Sequence, residues 1–146
     1  MSHGERHFDI LLIDDSPSDA RLVREALEGR AARCRLSVAA NGVEGVAFLR
    51  REGKYVTAPR PDLILLDLNL PMKNGAEVLQ EIKADEALMH IPVVVLSSSA
   101  SQEDVQRAYG LHANCYVTKP GDLDCFIQVI RTIEDFWLTT VQLSND

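Results

Sequence analysis

The chain has 146 residues, which is enough for one compact domain with a hydrophobic core. It is 46% hydrophobic and 25% charged, and its net charge of −7 argues against nonspecific binding to nucleic acid. The N-terminal residues lack the apolar core of a signal peptide, and no apolar run approaches the roughly 18 residues of a membrane span. Three widely spaced cysteines match no metal or redox motif and suit a reducing compartment. We therefore expect a cytoplasmic protein that contacts neither nucleic acid nor membrane.

Strand-like and helix-like segments alternate along the chain. Five short runs rich in Ile, Val and Leu are predicted to be strands: 8–13, 34–39, 62–67, 92–97 and 114–118. The central runs are apolar on consecutive residues, which is typical of strands buried on both faces of a parallel sheet. The segments between them carry apolar residues three and four positions apart, as amphipathic helices do. This order predicts an α/β fold: a doubly wound five-stranded parallel sheet, strand order 2-1-3-4-5, with helices on both faces.

Residues at the predicted helix ends agree with this division. Ser18 is predicted to cap the first helix, Asn41 to open the second, and Gly110 to follow the fourth. The segment 51–61 is longer than the usual connection between a helix and a strand and contains two prolines, so we expect an exposed loop there. We expect one domain over residues 1–146.

Polar side chains follow the predicted strands at the points where they end. Because ligands of such sheets bind at the carboxyl ends of the strands, we expect these side chains to converge: Asp14, Asp15, Asp67, Ser97 and Lys119. Three carboxylates at close range would raise one another's pKa values, and a hard divalent cation such as Mg²⁺ would remove that cost. Taken alone, the Asp14–Asp15 pair is equally compatible with a helix cap or a turn.

Four sequence motifs, in this order and spacing, carry a family resemblance. They are "LLIDDS", "DLILLDLNLPMKNG", "PVVVLSSSA" and "YVTKP". With them the chain resembles the receiver domain of two-component response regulators over about residues 8–138, followed by a short extension, 139–146. The resemblance implies a flavodoxin-like fold, Mg²⁺ as cofactor and a sensor histidine kinase as partner.

The resemblance also assigns roles to the residues at the strand ends. Asp67 matches the phospho-accepting aspartate, a carboxylate nucleophile. Asp15 matches a direct Mg²⁺ ligand and Asp14 one that acts through water, and the backbone carbonyl of Asn69 fits the remaining ligand position. Lys119 matches the lysine that pairs with the phosphoryl oxygens and offsets their charge.

Further positions match residues that shape or switch the family's site. Ser97 matches the hydroxyl residue that bonds the phosphoryl group, and Tyr116 the switch aromatic, although a half-buried strand aromatic is the alternative for Tyr116. Pro71 and Gly75 match residues that shape the loop after Asp67. By resemblance, Pro120 is expected to follow a cis peptide bond.

Two departures from the family pattern stand out. Gly121 occupies a position where many relatives carry an aromatic residue. Asn69 and Ser99 fill the two positions that flank the hydrolytic water in relatives, and neither is an obvious acid or base. We therefore expect modest self-dephosphorylation.

The function implied is that of a stand-alone response regulator without an attached output domain, which catalyses only its own phosphorylation and dephosphorylation. The loop at 51–61 and the C-terminal extension resemble single-domain receivers that partner bacterial phytochrome kinases. Two alternatives are a phosphatase or phosphotransferase with an aspartyl nucleophile, and a pseudo-receiver that binds without phosphorylation. The first requires a second acid two residues after the nucleophile, where this chain has Asn69.

The last predicted helix carries more apolar residues than one core-facing stripe needs. The stripe consists of Leu123, Phe126, Ile127, Ile130, Ile133, Trp137 and Val141. Val129 and Phe136 fall to one side of it, with Cys125 and Leu143 beyond. Because receivers resembling this one often pair through the fourth helix, fifth strand and fifth helix, we expect a homodimer through that surface. The alternative is that the tail after Trp137 folds back over Val129 and Phe136.

Overall fold

The structure is a computed structural model that describes residues 7–28 and 33–140, with the side chains of residue 33 and residues 138–140 left undescribed. The strands are β1 (His7–Ile13), β2 (Arg33–Ala39), β3 (Leu63–Leu66), β4 (Val93–Ser97) and β5 (Cys115–Thr118). The helices are α1 (Pro17–Leu27), α2 (Gly42–Arg50), α3 (Gly75–Ala84), α4 (Gln102–Gly110) and α5 (Leu123–Glu134). A 3₁₀ turn covers Gly53–Tyr55, and a π-helical segment, Asp135–Thr140, continues α5.

The five strands form one parallel sheet in the order β2-β1-β3-β4-β5, which confirms the predicted topology. Successive residues of β1 face opposite sides. Leu11 and Ile13 belong to the core layer that packs under α2, α3 and α4, whereas Ile10 and Leu12 belong to the layer under α1 and α5. Because both faces are covered, every residue of β3 and β4 is buried, which explains their consecutive apolar residues.

The first helix begins earlier than predicted. Its N-cap is Ser16, whose Oγ accepts the backbone N–H of Asp19 at 3.2 Å, and Ser18 is not the cap. The reason is Pro17, which occupies the first helical position, where its missing N–H costs nothing and its φ is already helical. The prediction for α2 is confirmed, because Asn41 Oδ1 accepts the N–H of Glu44 at 2.8 Å.

The end of α4 also differs in detail from the expectation. Gly110 is the last helical residue and does not follow the helix. The left-handed conformation that usually favours glycine is adopted by His112, at φ 71°.

The segment 51–61 is docked on the domain and is not a bare loop. The Tyr55 ring packs on Phe48 with 5.3 Å between centroids, and the Tyr55 hydroxyl donates to Glu44 Oε1 at 2.6 Å. Pro61, at its end, is buried. Residues 51–54, 56 and 57 are exposed, which confirms the expected exposed loop for most of the segment, while its aromatic residue gains apolar contact with the core.

The stripe on α5 is largely as predicted, with two corrections. Phe126, Ile130 and Ile133 are buried, but Leu123, in the first turn of α5, is 63% exposed. Val129 is half-buried and packs on the same core layer, so it is not left over for an interface. Phe136 remains 50% exposed and meets Trp137 edge-on at 5.3 Å. The predictions for Val141 and Leu143 lie outside the described residues.

Within the described ranges, the longest and most apolar helices still fall short of what is needed to cross a bilayer.

Candidate phosphoryl-transfer site

The end of β1 places one carboxylate in the interior and its neighbour at the surface. Asp14 is 2% exposed, its backbone N–H donates to the carbonyl of Ala39 at 3.0 Å, and its Oδ1 accepts the N–H of Ser16 at 2.9 Å. Asp15 is exposed. The turn into α1 thus holds the Asp14 carboxylate at the carboxyl edge of the sheet.

The end of β3 holds Asp67 beside this pair. Ile13 and Leu66 lie opposite each other in the β1–β3 register, and the N–H of Asp67 donates to the carbonyl of Ile13 at 3.0 Å. Asp67 Oδ1 accepts the N–H of Asn69 at 3.0 Å, so the loop that follows fixes the carboxylate's orientation. Asp67 is buried, at 7% exposure.

These carboxylates form a group that suits a hard cation. Asp14, Asp15 and Asp67 each offer an oxygen, and the three ligand atoms all lie within 4.8 Å of one another. Carboxylate oxygens are the ligands that Mg²⁺ takes, and Mg²⁺ usually keeps several waters beside one or two of them. Asn69 lines the same cleft, next to Asp15 and Asp67. The donor set fits a divalent cation, and a role for the Asn69 carbonyl stays a prediction.

Lys119 is bound by three carboxylates, one of which the sequence analysis missed. Its Nζ donates to Asp14 Oδ2 at 3.0 Å, to Asp67 Oδ2 at 3.0 Å and to Asp19 Oδ2 at 2.7 Å. Asp19 lies in the first turn of α1, where a side chain points back toward the helix N-terminus and thus toward the sheet edge. Placing Pro17 at the first helical position would have revealed it.

Burial and charge oppose each other in this cluster. Burial raises the pKa of the Asp14 carboxyl, against the lowering effects of the Ser16 N–H and of Lys119. Burial lowers the pKa of Lys119, but hydrogen bonds to Asp19 and Asp14 and the charges of Asp14 and Asp67 outweigh it, so this pKa lies above its ordinary value. The ammonium therefore stays charged, and among residues 7–28 and 33–140 it is the cation that pairs with Asp14, Asp19 and Asp67.

The end of β4 connects the site to α4 and β5 through serine residues. Ser97 is fully buried, and its Oγ accepts the N–H of Ser99 at 3.1 Å. Ser99 Oγ donates to Asp104 Oδ2 at 2.6 Å, and the carbonyl of Ser99 accepts the hydroxyl of Tyr116 at 2.7 Å. Tyr116 is half-buried and packs against the core layer under α2, α3 and α4. Ser97 and Tyr116 are thus linked through one residue, Ser99.

The residues predicted to shape the site take different positions. Pro71 is exposed, and its carbonyl accepts the N–H of Lys73 at 2.8 Å. Gly75 is required by close packing, because a Cβ there would lie 2.3 Å from the carbonyl oxygen of Asp67. Among the described residues no peptide bond is cis, so the expectation for Pro120 was wrong. The trans form is favoured even before proline, by roughly 0.5–1 kcal/mol.

A cleft opens over Asp67 and Lys119. Its lining includes the carboxylates Asp15 and Asp19 and the apolar residues Leu22, Leu123 and Phe126. Ser98, Pro120 and Gly121 also line the cleft. The arrangement offers a carboxylate nucleophile, a fixed ammonium and a cation-binding group to a substrate that reaches the cleft from solvent.

Comparisons with known proteins agree with this geometry. The family model "Response regulator receiver domain" matches residues 10–131. The chain is 48% identical over 134 residues to the response regulator Rcp1 of Synechocystis sp., with 92% of this chain and 91% of Rcp1 covered.

Two solved structures are similar over almost their whole length. The phosphorylated cyanobacterial phytochrome response regulator RcpA superimposes with a TM-score of 0.93 at 48% identity, covering 96% of this chain and 100% of RcpA. The Mn²⁺-bound form of Rcp1 gives a TM-score of 0.90 at 47% identity, covering 94% of this chain and 99% of that one. The carboxyl edge of the sheet, the matched family model and these relatives lead to one conclusion: the chain belongs to the response regulator receiver domain family.

Proposed function

We propose that this receiver accepts a phosphoryl group on Asp67 from a sensor histidine kinase and changes its surface as a result. The observation that carries the proposal is the state of the Asp67 carboxylate: Oδ1 is held by the N–H of Asn69, and Oδ2 lies 3.0 Å from Lys119 Nζ. A carboxylate oxygen of Asp67 attacks phosphorus, the P–N bond of the phosphohistidine breaks, and the imidazole keeps the electron pair. Lys119 offsets the charge that spreads over the phosphoryl oxygens.

The carboxylates at this edge support Mg²⁺ as the cofactor. Asp14, Asp15 and Asp67, with the carbonyl of Asn69, would hold the ion. A bound Mg²⁺ supplies positive charge to the carboxylates and to the phosphoryl oxygens. The relative Rcp1 has been solved with Mn²⁺ bound, which is the same kind of hard divalent cation.

The link between Ser97 and Tyr116 supports a switch. We propose that Ser97 bonds the phosphoryl group and that its movement reaches Tyr116 and α4 through Ser99. Because the Ser99 hydroxyl is held by Asp104 and Asn69 is neither an acid nor a base, we expect modest self-dephosphorylation. The receiver family is not a family of enzymes, and we propose that the chain catalyses only its own phosphorylation and dephosphorylation.

The phosphodonor is proposed to be a phytochrome-type kinase, since RcpA, which is 48% identical to this chain, is by its name a cyanobacterial phytochrome response regulator. The exposed Leu123 beside Leu22 and Phe126 gives the cleft an apolar wall against which a kinase helix carrying the phosphohistidine can pack. None of the three cysteines is in a disulfide, which supports a location in the reducing cytoplasm.

Phosphotransfer profiling tests this function. Each histidine kinase of the source organism is autophosphorylated with labelled ATP and mixed with the chain for short times. We expect label to move to the chain fastest from a phytochrome kinase and to require Mg²⁺. Equal rates from all kinases would remove the phytochrome assignment, and transfer from none of them would contradict the proposed function itself.

We further propose a homodimer through α4, β5 and α5. Strand β5 is an edge of the sheet, and the exposed aromatic side chains Tyr109 on α4 and Phe136 beyond α5 flank that region of the chain. The net charge of −7 supports a protein partner and not nucleic acid.

Phe136→Glu is expected to give a folded monomer where the wild type is a dimer by light scattering, because it puts a charge into the apolar contact. Val56→Glu is the matched control, since Val56 is 68% exposed and lies in the segment 51–61, away from the proposed contact. A wild type that stays monomeric at high micromolar concentration, with and without a phosphoryl mimic, would refute the dimer.

A further inference from the structure

The hydrogen-bonding capacity of Lys119 is fully used in the structure. An ammonium group has three N–H donors, and three carboxylate oxygens accept from it: Asp14 Oδ2, Asp67 Oδ2 and Asp19 Oδ2. The contact with Asp19 is the shortest, at 2.7 Å against 3.0 Å for the other two. Asp14 and Asp67 belong to the group of carboxylates that fits a divalent cation, whereas Asp19 does not. If a cation bound Asp14 and Asp67, Asp19 would be the acceptor that remains for the Lys119 ammonium.

The Asp19 carboxylate is held by a rigid part of the chain. Its backbone N–H is bound by the Ser16 hydroxyl, and the next residue, Ala20, donates to the carbonyl of Ser16 at 3.1 Å. The side chains of Asp19 and Lys119 are 23% and 10% exposed, so their contact is partly shielded from water. This distinguishes it from a surface ion pair, in which both side chains are solvated and the geometry is loose.

We infer that Asp19 is a positioning residue for phosphoryl transfer to Asp67: by holding one N–H of Lys119, it directs the other two toward the phosphoryl oxygens. The inference rests on the proposed function. With acetyl phosphate as donor, a carboxylate oxygen of Asp67 forms the new bond to phosphorus, the bond from phosphorus to the acetyl oxygen breaks, and acetate leaves with the electron pair. The ammonium must face the oxygens on which charge accumulates, and an ammonium fixed at one hydrogen has few orientations left.

Two variants of Asp19 separate an effect on the orientation of Lys119 from an effect of the negative charge of Asp19. Asp19→Asn keeps an oxygen that can accept from Lys119 but removes the negative charge, whereas Asp19→Ala removes both. If Asp19 positions the lysine, the initial rate of labelling by acetyl phosphate with Mg²⁺ falls about tenfold in Asp19→Ala. In Asp19→Asn it stays within about twofold of the wild type, because the acceptor is retained. Glu25→Ala is the matched control, since it removes an exposed carboxylate from the same helix.

Two further measurements report whether Asp19 acts through Lys119. In the wild type and in Asp19→Asn, the ¹H–¹⁵N signal of the Lys119 ammonium should be visible and slow to exchange, and in Asp19→Ala it should broaden or vanish. In a Lys119→Ala background, Asp19→Ala should cause no further loss of rate, because the residue through which it acts is gone. If Asp19→Ala does not fold, Asp19→Ser replaces it, since serine is well tolerated at a helix start but is too short to reach the ammonium.

Each other outcome overturns the inference. Faster labelling in both Asp19→Asn and Asp19→Ala would show that Asp19 acts by charge, as a competitor of the phosphoryl group. Unchanged labelling in Asp19→Ala would show that the contact is only structural, as would an equal loss of rate in the Lys119→Ala background. If the wild type is labelled normally at Asp67 in these experiments, the proposed function stands whatever the Asp19 variants do. If the wild type is not labelled, both the proposed function and the inference about Asp19 are contradicted.

Discussion

Asp67→Asn is expected to abolish alkali-labile labelling of the chain by acetyl phosphate and Mg²⁺. The neutral amide oxygen of asparagine is too weak a nucleophile to attack phosphorus, so the acyl phosphate cannot form. The change keeps the shape of the side chain, and its oxygen can still accept the N–H of Asn69, which now binds Asp67 Oδ1 at 3.0 Å. We therefore expect a folded protein whose labelling is at background, measured by phosphoprotein electrophoresis and intact mass.

Asp124→Asn is the matched control for this experiment. Asp124 lies on the exposed side of the first turn of α5, outside the carboxylate group of the site, and the change in charge is the same. Its labelling should equal that of the wild type. Labelling of Asp67→Asn at the wild-type level would place the acceptor at another residue.

Lys119→Ala is expected to destabilise the fold by about 3 kcal/mol at pH 7 in the presence of a chelator, because it leaves buried carboxylates without their cation. Lys119 is the ammonium that contacts Asp14, Asp19 and Asp67, and its side chain is 10% exposed. Urea unfolding of the two proteins, followed by circular dichroism, measures the difference. Without the chelator, Mg²⁺ should recover part of the loss, since it supplies positive charge to the same oxygens.

The stability lost in Lys119→Ala should depend on pH, and the Asp14 carboxyl determines whether the loss grows or shrinks as pH rises. Burial already raises the pKa of Asp14 in the folded wild type, and removal of Lys119 removes the ammonium that opposes this effect. A carboxyl whose pKa is higher in the folded than in the unfolded chain makes the folded state bind more protons, so stability falls as pH rises through the folded pKa. The difference in the free energy of unfolding between wild type and Lys119→Ala should therefore be larger at pH 7 than at pH 5.

Lys83→Ala is the control for this pH dependence. Lys83 is also partly buried, but the oxygens that it contacts are neutral: the carbonyls of Met89 and Ile91 and Oδ1 of Asn114. Its removal leaves no carboxylate without a partner, so its effect should be the same at pH 5 and pH 7. If the difference in unfolding free energy between wild type and Lys119→Ala does not become smaller at pH 5, the carboxylates of the site stay ionised without the lysine.

The strands and their order could be predicted because burial on both faces leaves a direct trace in the sequence. Residues of β3 and β4 are apolar without interruption, since neighbouring residues face different core layers. From the strand ends alone it follows that Asp14, Asp67 and Lys119 meet, because all strands of a parallel sheet end at one edge. That part of the site depends on topology and needs no knowledge of side-chain conformation.

Asp19 escaped prediction because it reaches the site from a helix. The position of a helical side chain depends on the residue at which the helix begins, and α1 begins with Pro17 after Ser16. With Ser18 as the assumed cap, Asp19 is the first helical residue and not the third, so its place in the first turn is assigned wrongly. An error of two residues at a helix start thus hides a residue that contacts Lys119.

Leu123 was misjudged, and the packing of Tyr55 was not predicted, because periodicity describes one element and not what covers it. Leu123 continues the apolar stripe of α5, but its side chain is 63% exposed and lines the cleft instead of joining the core. Tyr55 belongs to a segment without apolar periodicity, yet its ring packs on Phe48. Both outcomes depend on contacts between elements distant in the sequence.

The close approach at Gly75 has a mechanical consequence for signalling. On the α3 side of Asp67, even a methyl group would come within 2.3 Å of the Asp67 carbonyl oxygen, so this contact has no slack. On the β4–α4 side, the chain is held by hydrogen bonds of Ser97, Ser99 and Tyr116, which can exchange partners at small cost. We therefore expect the α3 side to act as a fixed support, and strain introduced by a phosphoryl group at Asp67 to be relieved by movement of the serine-bonded side, toward α4 and Tyr116.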